Sequence, residues 1–482
     1  MGKYKYLLKN IGLLTLGQFG TKLLSFFLVP LYTNILSTGE YGTYDLFSTT
    51  TSLLIPVLTL NAGEAIAVFA LDKNYKNKGS ILSVGLKFSI IGSILVTVLT
   101  AIFVLINDVF DLVQLFNEFW FFLPLMFFLS VLSSVMTNFA RGIEKVKEIA
   151  VGGVLCTLAM ISFNILFLVV IEWGLLGYFL AFNIGLFVQI IYMGVSCKIW
   201  NFIKFSKDVK LEREMLSYSK PLIANSICWW VNNSSDKYVV TAMQGITENG
   251  IYSVGYKIPS ILNIVQSIFA QAWSISAIKE FDPEDSNGFF STMYTMYNYV
   301  LTASCSAIIV LGKLMAFFLY AKDFYSAWKY VPFLTISIIF GALAGFLGGF
   351  FAAVKDSKTF AKSTIISAVV NTVLNFVFIY FIGTIGAAIA TVICYFLVWI
   401  IRYVEVKKYI KLKINIFRDA ICYFILVLQS LVMLFIETPA ILYPIESLCF
   451  LLIIFMFRGE NKMLIVKTCE ALYKRKKLDV KE

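Results

Sequence analysis

The sequence predicts an all-α, polytopic membrane protein of about fourteen transmembrane helices. Two six-helix lobes are related by a parallel pseudo-repeat, a C-terminal helix pair follows, and both termini are cytoplasmic. Three observations carry that expectation. Of 482 residues, 59% are hydrophobic and 14% charged, and the mean hydropathy is +0.82; a soluble domain carries about 25% charged residues. Apolar runs long enough to cross a bilayer recur along the whole chain. Charged and turn residues also recur at one long interval.

In chain order the expected spans are 11–36, 42–71, 81–106, 118–140, 149–171, 174–197, 217–242, 249–278, 289–318, 329–354, 359–381, 384–404, 417–436 and 440–457. The leading MGKYKYLLKN precedes an apolar run with no small-residue cleavage site, and reads as a retained first helix rather than a signal peptide. The pairs that meet near Trp173 and Gly383 leave almost no linker and are expected as tight hairpins. Orientation follows from the loops. With a cytoplasmic N-terminus, DKNYKNK, RGIEKVKE, the stretch from Lys198 to Lys220, KDSK, VKKYIKLK and YKRKK all fall inside. LSTGEYG, NDVFDLVQLFNE, QGITENG and ETPAILYP fall outside and contain no Lys or Arg. Lys322 and Lys329 outside, and the acidic inside loop KEFDPEDSNG, are the exceptions.

The long interval is a repeat. Lys147 falls opposite Lys358 and Asn164 opposite Asn375, at an offset of 211 residues; EYGTY at 40 matches ENGIY at 248, at an offset of 208. After a two-residue gap, Gly174 and Gly177 fall opposite Gly383 and Gly386. Six helices fit in that interval, so the halves share one orientation and are related by an axis along the membrane normal. The expected lobes are 1–204 and 205–414, followed by 415–482 with two further helices and a basic tail. Substrate sites in such bundles lie between the lobes near the midplane.

Composition excludes several functions. The net charge of +11 is spread over short clusters between apolar runs, which is a topology signal rather than a nucleic-acid surface. There is no histidine, so His metal sites, His proton relays and Ser-His-Asp chemistry are ruled out. The eight cysteines are scattered without a CxxC and read as structural thiols. No external loop exceeds roughly a dozen residues, which leaves no room for the large external catalytic loop of a membrane glycan polymerase or ligase.

Charges inside spans carry the functional signal, since each costs about 2.5–3.5 kcal/mol at a helix centre. Lys22 shares a stripe with Thr15, Gln18 and Ser25, facing either a cavity or, by snorkelling, an interface. Glu64 follows Pro56 and Asn61, as a counter-ion, as a proton-binding carboxylate for coupling, or as a partner for Lys87 or the basic loop after the second span. The stretch WWVNNSSDKYVV places Asp236 on a face with Asn225, Trp229 and Asn232, and Lys237 on one with Ser226, Trp230 and Asn233. The two charges read as a gate or coupling pair, or as ordinary ion pairing between helices. Lys257 belongs to a stripe with Ser253, Ser260, Ser267, Gln271 and Ser274 that must face protein or water. Gly341, Gly345 and Gly349 read as close helix packing.

In order and spacing, the motifs GQFGTKLLSFFLVPLYTNILSTGEYGTYDL, NNSSDKYVV…GITENGIYSVGYKI, FFLYAKDFYSAW, RGIEKVKE and AVKDSKTFAKS span essentially the full chain. Together they resemble the polysaccharide-transport (Wzx-type O-antigen or capsule repeat-unit flippase) branch of the multidrug/oligosaccharidyl-lipid/polysaccharide exporter superfamily. The resemblance implies a flippase for undecaprenyl-diphosphate-linked oligosaccharides, not an enzyme, working by alternating access around a cationic cavity in the bacterial inner membrane. Lys22, Lys237 and Lys257, with Gln18, Trp229, Asn232, Asn233 and Gln271, are the expected diphosphate and glycan contacts. Asp236 and Glu64 are the expected coupling or ion-pair residues. Expected partners are the bilayer, the lipid-linked oligosaccharide and, as a further option, polysaccharide polymerase and chain-length proteins, with no nucleic acid. No cofactor or metal is expected, and a coupling cation, H+ or Na+, is left open. A cation-coupled drug exporter of the same superfamily and a membrane glycan polymerase or ligase are the competing readings.

Overall fold

The computed structural model describes residues 20, 24, 26–72, 75, 77–110, 116–203 and 208–463, without the side chains of residues 271, 272, 274 and 275. Every regular element among the described residues is helical. Ten of these helices are long and apolar enough to cross a membrane, and the bent pair Thr38–Leu58 with Ala62–Leu71 adds an eleventh. The remaining expected spans differ from these for local reasons. The first lies mostly outside the described residues, which retain the helix Val29–Ile35. The seventh is one continuous 36-residue helix, Val209–Gln244, whose polar residues lower its hydropathy.

The eighth is broken. Where one span over 249–278 is expected, the chain forms Ile246–Gly255, a turn, and then Ser260–Lys279 after Pro259. Proline lacks an N–H and its ring clashes with the preceding turn, so a continuous helix is interrupted there. The stripe from Ser253 to Ser274 is therefore divided between two helices. The second span breaks as well. Thr38–Leu58 starts on a capping box, with Ser37 Oγ accepting from the Glu40 N–H at 3.2 Å and Glu40 accepting from the Ser37 N–H at 2.8 Å. It ends just after Pro56, Leu60 and Asn61 take φ of 51° and 53°, and Ala62–Leu71 leaves at 59°.

Both expected hairpins are tight. Gly174 has φ of 53° and Gly383 of 68°, a conformation that costs glycine little. In each copy the next glycine lets the returning helix touch the outgoing one. A Cβ on Gly177 would lie 2.7 Å from Phe167 Cβ, and one on Gly386 would lie 2.4 Å from the Phe378 backbone. Asn164 and Asn375, matched by the repeat, are both fully buried.

The chain divides into two compact units. One comprises residues 1–257, 318–326 and 368–387, and the other residues 258–317, 327–367 and 388–482. The first holds a mixed aliphatic and aromatic core around Ile66, Leu82, Phe127, Phe139 and Met215, and a mainly aromatic one around Phe47, Phe122 and Phe179. The second centres on stacked Trp273 and Phe346 with Phe290 and Phe350 against them. Long helices such as Lys78–Phe110 turn Ile90, Ile94, Val98 and Leu105 outward. Exposed apolar side chains in such number fit a hydrocarbon environment rather than water.

Candidate functional site: a charged seam in the first unit

The stretch WWVNNSSDKYVV lies in the C-terminal half of Val209–Gln244, a helix that meets Thr38–Leu58 and Ile246–Gly255. Asp236 and Lys237 do not neutralise each other through their side chains; each is engaged on another element. Asp236 is 2% exposed and accepts from Tyr252 Oη at 2.7 Å, Tyr256 Oη at 2.6 Å and the Lys237 backbone N–H at 3.0 Å. Lys237 Nζ donates to Asp45 Oδ1 at 2.8 Å, and both side chains are largely buried. The other Asp45 oxygen accepts from Ser253 Oγ at 2.7 Å. Ser253 is the residue that the repeat offset of 208 places opposite Asp45.

Two glycines make this proximity possible. A Cβ on Gly42 would lie 2.2 Å from the Ile246 carbonyl oxygen, and one on Gly250 would lie 1.9 Å from the Thr38 oxygen. These contacts are each other's images under the same offset, so the two copies of the E-x-G-x-Y motif meet about a local two-fold relation. Asn249 Nδ2 donates to the Gly42 oxygen at 3.3 Å beside it. Lys257 Nζ lies 5.9 Å from the Tyr41 ring centroid and within electrostatic reach of Asp45. Tyr41, Tyr44 and Tyr32 converge on Tyr178, with centroids 6.2, 4.2 and 4.5 Å from it. The seam thus combines two carboxylates, two ammonium groups and a bank of tyrosines.

The other expected residues are distributed as follows. Lys22 and Gln18 lie outside the described residues, as does the side chain of Gln271. Trp229 is half-buried; its neighbour Trp230 donates from Nε1 to the Thr49 oxygen at 3.0 Å and to Ser52 Oγ at 3.2 Å. Asn232 and Asn233 bond back to the carbonyls of Cys228 at 3.1 Å and Trp229 at 2.7 Å. Glu64 is exposed in the first turn of Ala62–Leu71, and Lys87 pairs with Glu212 at 2.7 Å instead. Asp45 escapes the sequence reading because it sits near a loop, although it falls inside the expected second span. Arg402, 1% exposed, escapes it for the same reason at the end of the twelfth. It donates to the Ala344 oxygen at 2.8 Å and to Ser363 and Thr364 hydroxyls at 3.0 Å each.

A polytopic helical chain with a bent second span and a charged seam buried among its helices belongs to the class of multi-pass membrane proteins. A family model described as "Polysaccharide biosynthesis protein" matches residues 7–278, more than half of the chain, and the chain belongs to that family. Among solved structures, the fold is similar to the lipid II flippase MurJ in an inward closed conformation, at 15% identity and a TM-score of 0.70, covering 94% of this chain and 99% of that one. It is also similar to an inward-facing multidrug resistance MATE family transporter of the MOP superfamily, at 13% identity and 0.63, covering 83% and 95%. A MATE in complex with MaL6 matches at 14% identity and 0.59, covering 86% and 96%. No curated protein sequence matches the chain. The first two of these structures are of a flippase and a transporter.

Proposed function

We propose that this protein is a flippase that carries undecaprenyl-diphosphate-linked oligosaccharide repeat units from the cytoplasmic to the outer leaflet of the bacterial inner membrane, by alternating access, for O-antigen, capsule or a related polysaccharide. The observation that carries the reading is the charged seam itself. A buried ion pair and a second buried carboxylate inside membrane helices are costly unless they serve a polar cargo or a moving joint. A diphosphate and its glycan need ammonium groups and hydroxyl partners in place of water. Lys257, with Lys22 as its expected counterpart in the first span, supplies the first kind of contact. The Asp45 and Asp236 carboxylates and the surrounding tyrosines match the second. The Asp45–Lys237 pair ties the second span to the seventh, and Ser253 ties Asp45 to the eighth, as a gate would.

The likeness to a multidrug resistance transporter supports a second reading, cation-coupled export of drugs. Reconstituted wild-type protein separates the two. The flippase reading expects transbilayer movement of a lipid-linked oligosaccharide and no efflux of a cationic dye. Dye efflux without lipid movement would replace it with the second reading.

A further inference from the structure

The second compact unit contains a cavity of about 670 Å³ that the charged seam does not use. It lies between Ser260–Lys279, Val331–Ala353 and the start of Ser357–Ile382, within the usual size range of small-molecule sites. Its polarity is segregated. The walls are Phe269, Trp273, Tyr297, Phe346 and Phe360 with small residues between them. Apart from Gln266, the polar lining is Lys355, Asp356 and Ser357, consecutive residues of the expected cytoplasmic loop. Between Ala342 and Ala352 the tenth span lines about 15 Å of depth, at 1.5 Å per residue.

The walls favour an apolar chain over a sugar. Trp273 stacks on Phe346 and Phe269 on Tyr297, each at 3.8 Å, so these rings already cover one another's faces. The mouth favours an anion. Lys355 is exposed there, and both oxygens of Asp356 are engaged, by the Thr359 N–H at 3.1 Å and Tyr409 Oη at 2.9 Å. Behind the wall, the Arg402 guanidinium stacks 4.0 Å from the Phe360 ring with no carboxylate paired to it among the described residues. An unneutralised buried cation adds a positive field to the same end.

We propose that this cavity receives the phosphate-proximal isoprenoid units of a polyprenyl diphosphate, with the chain against the aromatic wall and the diphosphate at Lys355. The choice of a polyprenyl carrier rests on the flippase reading; the pairing of an apolar chain with an anionic head rests on the cavity. None of the residues that line the cavity belongs to the seam, so the carrier lipid has a site of its own in the second unit.

Gly345 provides the test. Of the three glycines spaced four apart, a Cβ on Gly341 would meet Tyr395 at 3.3 Å and one on Gly349 would meet Trp273 at 2.7 Å, as close packing requires; one on Gly345 would meet nothing within 4 Å. A leucine there grows into the cavity. The full-length protein in nanodiscs would be labelled with photoactivatable farnesyl diphosphate, farnesol and phosphatidylglycerol, and the labelled peptides mapped. Farnesyl diphosphate is expected to label Ser260–Lys279 and Val331–Ala353, and Gly345→Leu to lower that labelling about tenfold with an unchanged unfolding midpoint. Lys355→Gln should weaken labelling by the diphosphate and not by farnesol. Equal labelling of wild type and Gly345→Leu, or equal labelling of the cavity by phosphatidylglycerol, overturns the proposal. Should Gly345→Leu not fold, undiminished diphosphate labelling of Lys355→Gln overturns it instead. Labelling involves no transport, so a protein that binds the probe here yet moves no lipid-linked oligosaccharide loses the flippase reading and keeps this site.

Discussion

Asp45 and Lys237 make the first prediction at the scale of single residues. Removing one member of a largely buried pair strands the other, whereas removing both leaves two neutral groups. Asp45→Asn and Lys237→Met should each lower stability more than the double variant does. Thermal unfolding of the cycle should give a coupling on the order of 1–3 kcal/mol; additive effects would mean that the pair contributes nothing. Arg402 yields a second prediction. Its three donors reach three separate acceptors while its plane lies on Phe360. Lysine cannot reproduce that fork, so Arg402→Lys should lower the unfolding midpoint nearly as far as Arg402→Met. Full retention by lysine would show that charge alone matters. Such partners could not be read from the sequence. Asp236 and Lys237 are adjacent in sequence, yet on a helix neighbouring residues point about 100° apart, and each finds a side-chain partner on another element.

At the scale of elements, the glycine seam between Thr38–Leu58 and Ile246–Gly255 is the most sensitive joint. Gly250→Ala would drive a methyl group to 1.9 Å from the Thr38 oxygen, so the helices must separate. Loss of folded protein, or loss of transport with the fold kept, is expected, and wild-type activity would contradict the packing. Gly42→Ala should behave alike, since it occupies the matching place. Asn61 tests the bend: Asn61→Gly suits a φ of 53°, whereas Asn61→Val should destabilise by about 1–2 kcal/mol. At the loop after the tenth span, hydrogen bonds from Thr359 and then Tyr409 hold the Asp356 carboxyl below its ordinary range. A carboxylate of lowered pKa adds stability above its unfolded value and loses it as the pH falls through the folded one. The loop should therefore loosen only in acid, and Asp356→Asn should remove that acid step. The helical hairpins and their glycines were legible beforehand, because a turn lacking a linker needs a positive φ. The breaks at Asn61 and Pro259 were not, because apolar residues on both sides of each let the whole stretch be read as one span.

For the whole molecule, hydropathy and loop charge made the class legible, as every backbone group in hydrocarbon must be bonded within helices. The repeat was visible through residues with special duties: Asn164 and Asn375 buried, Gly174 and Gly383 turning, Gly42 and Gly250 touching. Of the expected site, Asp236, Lys237 and Lys257 gather in one unit around an unforeseen Asp45, while Glu64 stands apart and exposed. What the sequence could not show was pairing, since ion pairs join residues as far apart as Asp45 and Lys237.

The central claim is that these charges carry a lipid-linked oligosaccharide across the membrane. Its most direct test is the rate at which a fluorescent lipid-linked oligosaccharide becomes accessible on the far side of proteoliposomes, for wild type, Lys22→Ala, Lys257→Ala and Asp45→Asn. The account predicts movement by wild type and at least about a tenfold loss in Lys22→Ala and Lys257→Ala, with Asp45→Asn also slowed. Undiminished movement in both lysine variants, at equal amounts of folded protein, would contradict it.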